Sequence, residues 1–401
     1  MPKFIYKVKT RDGKTLSGEI DSDSKELAIA KLKEKGYYIV GPLKEKNKEL
    51  TLFKKKVHSS EVSIFARQFA TMIGSGVVLI RCLSIMEDQV ENPVFREIIA
   101  QVRADVEAGS TFSSALARHP DVFTPLFCDL VRAGEAGGIL DQILERLANY
   151  LESSEALKAK VKGALTYPAV VMSVAVIVVI FLITFVLPNF KAIFEGMGDA
   201  ELPLPTRLLM GLSDFMAEYF IFLAILGGFG IFAIKKFFDT KQGRRILDTY
   251  SLKMPGFGVL LRKVAVSKFT RTLGTLIAAG VPILQALEVT ASTAGNVIIS
   301  EAVLKTRVSI KEGESISEPL KASKIFPPMV IQMIAVGEET GELDVMLRKV
   351  ADFYDQEVDT AVKGLTSIIE PVIIVFMGVV IGGIVLAIFM PMLEMINQAS
   401  N

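Results

Sequence analysis

The chain has 401 residues, of which 51% are hydrophobic, and its formal net charge is +1. A nearly neutral chain has no overall electrostatic field to attract nucleic acid or acidic substrates. The apolar residues are concentrated in a few segments, which indicates an integral membrane protein with soluble parts. Cys82 and Cys128 lie in apolar stretches without a C-x-x-C pattern, so we expect both to be small buried hydrophobic side chains.

Residues 1–43 are predicted to form a small N-terminal α+β domain. Residues 4–8 alternate between apolar and polar side chains and, after a turn, residues 16–20 alternate again, a pattern typical of a β-hairpin. Ser24 is suited to cap a following helix, and residues 37–40 favour a third strand.

The next segment, residues 44–58, contains six lysines and is predicted to be a basic linker. Two interpretations remain open. The lysines are either simply solvated, or attracted to an anionic membrane surface, where each charge contributes about 1 kcal/mol.

A long stretch of the sequence occurs twice. Phe65–Val77 returns 204 residues later as Phe269–Val281, and after one dropped residue Gly134–Leu140 returns 203 residues later as Gly337–Leu343. A self-match of this length with a single gap indicates an internal duplication.

Each copy is predicted to contain a cytoplasmic bundle of six helices, over residues 59–168 and 235–370. Apolar residues recur at three- and four-residue spacings, and Gly or Pro interrupts them at short intervals, as in compact helical bundles. The helices of the first copy are predicted at about 60–74, 78–90, 94–108, 111–118, 125–133 and 139–165.

Three apolar segments are predicted to span a membrane: residues 169–187, 215–234 and 371–391. Prolines stand at or beside the ends of the first and third, and the middle one has no counterpart in the repeat. It would return the chain to the cytoplasm, so that both bundles lie on the same side.

Basic residues flank the predicted inner ends of the spans, whereas the loop 188–214 and the tail 392–401 are poor in them. The positive-inside rule then predicts a cytoplasmic N-terminus, and places the loop and the C-terminal tail on the outer, periplasmic side.

The sequence contains no pattern typical of catalysis. There is no G-x-x-x-x-G-K-[ST], H-E-x-x-H or G-x-S-x-G, and only two histidines occur. We therefore predict neither an enzyme nor a cofactor or metal site.

Glu135 and Glu338 occupy equivalent glycine-rich positions and allow two interpretations. Each turn either joins two helices, with the carboxylate favouring the N-terminus of the next helix, or presents a contact surface to a partner. Arg67 and Arg271 lie on otherwise apolar helix faces, and we expect them to pair with a carboxylate such as Glu135 or Glu338. A separate group, Glu145, Glu152 and Glu155, is interpreted as a solvated helix edge or as ligands for a divalent cation at a subunit contact.

The duplicated pattern resembles the type II secretion system protein F family, which includes the platform proteins of type IV pili. The resemblance rests on three features: the two domain openings at Phe65 and Phe269, the Gly-Glu signatures at Gly134 and Gly337, and an N-terminal segment ending at Gly36-Tyr37. It extends over essentially the whole chain.

The resemblance implies a non-enzymatic scaffold in the bacterial inner membrane, without a cofactor. Its expected partners are a hexameric assembly ATPase, pilin or pseudopilin subunits, other inner-membrane assembly proteins, the lipid bilayer and further copies of itself, but not nucleic acid. The candidate partner-binding residues are Arg67, Gln68, Gly134, Glu135, Gly138, Arg271, Gly337, Glu338 and Gly341.

Two other classes of function fit the sequence less well than a scaffold. An oligomeric membrane transporter or channel is the main alternative, although the first and third spans contain no ionisable residue. A membrane enzyme or sensor lacks the catalytic groups. We further expect the helix from Ile139 to continue through Ala164 into the first span as a stiff lever, with possible kinks at Gly163 and Pro168.

Overall fold

The computed structural model describes residues 3–9, 15–21, 27, 29, 38–39, 44–45, 56–189, 204–238 and 240–399. In the N-terminal region β1 (Lys3–Lys9) pairs antiparallel with β2 (Thr15–Asp21), as the alternating pattern predicts. The other edge of β1 pairs with β3 (Tyr38–Ile39) and β4 (Lys44–Glu45), both antiparallel. Most of the helix predicted after Ser24 lies outside the described residues.

The position of β4 corrects one prediction. Lys44 and Glu45, assigned to the basic linker, pair with Ile5 and Phe4 of β1 and therefore belong to the sheet. Most of the remaining linker lies outside the described residues.

The first copy of the repeat is helical throughout, and its helix ends fall within a few residues of those predicted, except for the last. Its helices are α1 (Ser59–Gly74), α2 (Leu79–Gln89), α3 (Pro93–Glu107), α4 (Phe112–Ala117), α5 (Pro125–Gly137) and α6 (Leu140–Phe181). Gly76 has a φ of 85°, and its N–H and that of Val77 bond to the carbonyls of Ile73 and Met72, so glycine ends α1 as predicted.

Between the copies lie α7 (Leu204–Phe238) and α8 (Lys241–Ser251). The second copy then repeats the order of the first. Its helices are α9 (Phe257–Ala278), α10 (Ile283–Thr293), α11 (Val297–Lys311), α12 (Ser317–Ala322), α13 (Pro328–Thr340) and α14 (Leu343–Ala399).

The buried side chains of the two copies form one continuous hydrophobic core. In the first copy Phe65, Phe69, Phe95 and Phe123 are at most 1% exposed, and the ring centroid of Phe65 lies 5.3 to 6.0 Å from those of the other three. Contacts at these distances contribute about 0.5–1.5 kcal/mol per pair beyond the apolar area they bury. The two predicted buried cysteines belong to the same core.

The helices that leave the bundles do not end at the prolines. Pro168 lies inside α6, and Pro371 and Pro391 lie inside α14. The predicted continuation of this helix through Ala164 is therefore confirmed, and the prolines that were expected to bracket the spans are helical positions. Two helical segments of the described chain, Leu140–Asn189 and Leu343–Met390, are long and apolar enough to cross a membrane.

Near Pro188 the helix widens into a π-helical turn, Leu182–Val186, in which the N–H of Leu187 bonds to the carbonyl of Leu182. In this register the carbonyl of Ile183 would receive the N–H of residue 188, but proline has none. The hydroxyl of Ser213 on α7 donates to that carbonyl instead, at 2.6 Å.

In the second copy, a carbonyl left without a donor by a proline also accepts a hydrogen bond from a hydroxyl on α7. The carbonyl of Ala387 lies four residues before Pro391 and so lacks its helical donor. The hydroxyl of Thr206, also on α7, donates to it at 2.6 Å. Both hydroxyl residues are buried, so the beginning of α7 is fastened to the far ends of both long helices.

Candidate functional site

The first Gly-Glu turn joins α5 to α6 and depends on two glycines. Gly138 adopts the left-handed conformation, with φ of 65°, and the N–H of Ile139 bonds to the carbonyl of Gly134 at 3.0 Å. A Cβ on Gly134 would lie 3.0 Å from Cβ of Ile143 and 3.2 Å from Cα of Leu140. The glycines therefore permit a sharp reversal and close packing of the two helices.

Glu135 links this turn to α4 through hydrogen bonds. Its carboxylate accepts hydrogen bonds from the backbone N–H groups of Phe112, at 2.6 Å, and Ser113, at 3.0 Å. These are the first two residues of α4, whose N–H groups have no partner within the helix. The prediction of a carboxylate at a helix N-terminus is thus confirmed, but the helix is the preceding α4 rather than the next one, α6.

The second Gly-Glu turn, between α13 and α14, repeats this geometry. Gly341 is left-handed with φ of 77°, and a Cβ on Gly337 would lie only 2.8 Å from Cα of Leu343. Both oxygens of the Glu338 carboxylate accept from the N–H of Ile316, at 2.9 and 3.1 Å, just before α12. The two turns therefore share one structural plan.

The expectation that Arg67 pairs with a carboxylate of the bundle is confirmed, but the partner is not Glu135. Arg67 on α1 instead donates from Nη1 to Glu145 at 2.7 Å, from Nε and Nη2 to both oxygens of Glu152 at 2.6 Å, and from Nη2 to Asn149 at 2.5 Å. All three partners lie on α6. Such a two-pronged contact with a carboxylate is a strong geometry for a guanidinium.

The pairing changes the ionisation of its members. Its hydrogen bonds with Glu152 and Glu145 raise the pKa of Arg67, and the hydrogen bond from Arg67 lowers the pKa of Glu152. Glu145 and Glu152 thus lie on an exposed helix edge, with side chains 53% and 47% exposed, and both are ion-paired with Arg67. In the described part of the chain no group of three or more His, Cys, Asp or Glu side chains is placed to hold a metal ion.

Arg271 likewise pairs with carboxylates of the bundle, as expected, but not with Glu338. It donates to Asp352 at 3.0 Å and to Asp355 at 2.6 Å, both on α14. Asp355 also accepts from Ser267 at 2.5 Å. Asp352 and Asp355 are the repeat counterparts of Asn149 and Glu152, whereas Arg348 occupies the place of Glu145. The second arginine cluster is thus the repeat of the first with one acidic partner replaced by a cation.

The two copies meet beside this second cluster. The hydroxyl of Tyr150 on α6 lies 3.1 Å from that of Thr272 on α9, and burial raises the pKa of Tyr150. A cavity of about 280 Å³ opens next to this contact, and its lining includes Arg146, Arg271 and Arg348. The clusters therefore hold the long helices α6 and α14 close to the seam between the copies.

The remaining candidate, Gln68, is exposed on α1. Neither the Glu135 carboxylate nor that of Glu338 bonds to the arginines, so the other eight candidates fall into two turns and two clusters. Sequence reasoning missed Asp352 and Asp355, although the 203-residue offset from Asn149 and Glu152 was a signal that could have found them.

The cysteines carry no chemistry at these sites. Cys82 is fully buried and Cys128 is 5% exposed, as predicted. Burial raises the pKa of both thiols, that of Cys128 to about 11, so both remain protonated near neutral pH.

Comparison with protein families finds two matching descriptions. The family described as type II secretion system (T2SS), protein F, matches twice, over residues 65–188 and 269–391. The type II secretion system protein F N-terminal domain matches residues 1–41.

Similar proteins agree over almost the full length. The chain is 44% identical to the type IV pilus assembly protein PilC of Myxococcus xanthus, over 98% of this chain and 95% of that one. It is 42% identical to the protein of the same name from Thermus thermophilus, over 100% of both. Identity to the type II secretion system protein F of Xanthomonas campestris is 33%, over 99% of both chains. The chain therefore belongs to the type II secretion system protein F family.

Proposed function

We propose that this protein is an inner-membrane platform that couples a cytoplasmic assembly ATPase to the assembly of pilin subunits. The observation that carries the proposal is the full-length similarity to proteins named for type IV pilus assembly, at 44% and 42% identity. The lower identity of 33% to a protein named for type II secretion favours a pilus over a secretion machine.

Three membrane spans are part of the proposal. Two long helical segments are apolar enough to cross a bilayer. The 35 residues of α7 extend about 52 Å, more than the roughly 30 Å of a hydrocarbon core. Thr206 and Ser213, near the start of α7, donate hydrogen bonds to carbonyls toward the far ends of the other two long helices. These contacts support a path in which α7 returns the chain to the cytoplasm, with the N-terminus inside and the C-terminus in the periplasm.

The long helices are suited to transmit displacement. From Leu140 to Ala169, where the apolar run of α6 begins, the helix extends about 44 Å, and α14 has the same length from Leu343 to Val372. Arg67 and Arg271 fasten these helices to α1 and α9. A force applied at the beginning of α6 or α14 would therefore reach the membrane without a loop in between.

The Gly-Glu turns lie at the beginnings of α6 and α14, the ends of these helices that are farthest from their apolar runs. Glu135 and Glu338 are occupied by bonds to neighbouring backbone, so the ATPase contact is assigned to exposed neighbours such as Ala136 and Glu339. The apolar side chains exposed along the spans, for example Ile177 and Phe376, supply area for lipid, for pilin helices or for further copies of the chain.

The test is co-purification of the full-length protein in detergent with the pilus ATPase of the same cell. The double variant Ala136→Arg with Glu339→Arg is expected to reduce ATPase recovery by about tenfold, equivalent to about 1.4 kcal/mol. Lys305→Glu, an exposed charge reversal on α11, is the matched control and should change nothing. If the unmodified protein neither retains the ATPase nor changes its turnover, the platform function is wrong. If the double variant at Ala136 and Glu339 still binds the ATPase normally, only the assigned contact is wrong.

A further inference from the structure

A large groove lies beside the half of α6 that approaches the membrane. It encloses about 870 Å³ between α6, α8, α9 and the beginning of α11, and extends along α6 to Ala169, where the apolar run begins. Much of its wall is aliphatic, including Leu157, Val161, Leu165, Leu260, Leu261 and Val264. An aqueous anion alone would leave this aliphatic wall in contact with water.

Three lysines face the same groove: Lys158, Lys162 and Lys268. Among the described residues neither Lys162 nor Lys268 has a carboxylate partner. Lys158 donates to the Ser59 hydroxyl at 2.7 Å and lies 3.5 Å from Glu155. The other acidic side chain of the lining, Asp248, accepts a hydrogen bond from the N–H of Val297 at 2.7 Å. With three lysines against two carboxylates, the lining has an excess of positive charge.

Lys268 is the most unusual of the three. It is half-buried, and Nζ lies 3.6 Å from the position that a Cβ on Gly295 would occupy. Burial, and secondarily the charge of Lys158, lowers the pKa of Lys268. Its repeat counterpart is the exposed Ile64, so the duplicated fold does not itself require a cation here. A half-buried amine without a counterion loses part of its hydration, and a bound anion would compensate for that loss.

We propose that this groove binds an anionic phospholipid, with the phosphate held by Lys268, Lys158 and Lys162 and an acyl chain along the aliphatic wall. This inference rests on the membrane placement of α6 proposed above. Lys162 precedes Ala169 by two helical turns, about 10 Å along the axis. Its long stem reaches from there toward the headgroup zone, which is about 5–8 Å thick on each side of the hydrocarbon core.

The charge and the shape of the groove favour a lipid over the other possible occupants. Basic pockets at the cytoplasmic side of membrane helices are suited to anionic headgroups. An apolar helix from another protein would cover the aliphatic wall but leave the lysines unpaired. A single phospholipid satisfies both parts, because it carries a phosphate and a hydrocarbon chain in one molecule.

The experiment reconstitutes the full-length protein into phosphatidylcholine vesicles containing a small fraction of photoactivatable phosphatidylglycerol. After illumination, lipid adducts are mapped on peptides by mass spectrometry. We expect adducts on residues 154–169 and 260–268, and we expect Lys162→Gln with Lys268→Gln to reduce them about tenfold or more, given about 1 kcal/mol per charge. Lys349→Gln, an exposed lysine of α14, is the control and should leave them unchanged.

Further measurements distinguish a wrong lipid site from a misfolded variant and from a wrong membrane placement. Three outcomes would each overturn the lipid site. The double lysine variant could give unchanged adducts, soluble glycerol phosphate could abolish the adducts completely, or a second copy of the chain could cover the groove and prevent labelling. A thermal unfolding curve matching that of the unmodified protein shows that the lysine variant is folded. Extraction of the membranes with alkaline carbonate tests insertion independently. Release of the protein would overturn the membrane placement itself, whereas retention without lysine-dependent adducts overturns only the lipid site.

Discussion

At the scale of single residues, Gly337 lets α13 and α14 approach so closely that one added carbon does not fit. The Cβ of an alanine would lie 2.8 Å from Cα of Leu343, a backbone atom that cannot move without shifting the helix. Gly364, further along α14, has no atom within 4 Å of the same position. Gly337 on α13 and Gly364 on α14 therefore separate the effect of close packing from that of helix propensity.

We predict that Gly337→Ala destabilises the protein by about 1–3 kcal/mol, because overpacking forces the helices apart. Gly364→Ala should instead be neutral or stabilising by up to about 1 kcal/mol, since alanine is the better helix former. Thermal unfolding of the full-length protein in detergent, followed by far-UV circular dichroism, checks both. Equal melting temperatures for the two variants would contradict the close-packing argument.

At the scale of the elements, α7 is fastened by hydroxyl groups to the carbonyls that proline leaves without a donor. Thr206 and Ser213 donate to Ala387 and Ile183, one on each duplicated helix. In an apolar environment an unpaired carbonyl is costly, so each hydroxyl completes a hydrogen bond that the helix itself cannot make.

We predict that Thr206→Val weakens the attachment of α7 by about 1–2 kcal/mol, because it removes the hydroxyl and retains the shape. Ser173→Ala is the control, since Ser173 bonds only to the carbonyl of Ala169 in its own helix. Unfolding of the purified protein by titration with SDS measures the difference.

Restoring the N–H that Pro391 lacks tests this prediction further. Pro391→Ala supplies an N–H for the carbonyl of Ala387, so the cost of Thr206→Val should fall when both changes are combined. If the effects of the two substitutions simply add, Thr206 does not act by replacing that donor.

The sequence predicted the helix positions well because Gly and Pro mark the turns, as at Gly76 and Gly138. It predicted less well where proline lies inside a helix. Pro168 and Pro371 usually indicate a helix end, yet both helices continue through these positions. The partners of Arg67 and Arg271 lie 78 to 85 residues away, so no local pattern identifies them.

At the scale of the whole molecule, the two copies are joined more closely than a duplication alone requires. Their buried side chains form one core, and Leu157 and Leu260 pack with Val358 and Val362 in a smaller cluster nearer the membrane helices. Lys160 of the first copy and Asp359 of the second form an ion pair at 3.1 Å. Motion at one bundle is therefore expected to displace α6 and α14 together.

We predict that four flexible residues, Gly-Ser-Gly-Ser, inserted between Gly163 and Ala164 abolish pilus assembly. The insertion interrupts α6 between the bundle and the span, so force applied to the bundle is no longer transmitted along a stiff helix. The same four residues inserted after Gly109, in the turn between α3 and α4, are the matched control, since Gly109 is left-handed and exposed there.

The readout is the amount of assembled surface pilin in cells that carry each insertion, normalised to the amount of membrane-extracted protein. The α6 insertion should leave protein level and membrane insertion intact while assembly is lost, and the turn insertion should leave all three intact. Normal assembly in the α6 variant would mean that stiffness of the helix is not needed. The platform would then act by positioning its partners, with no force passing through α6.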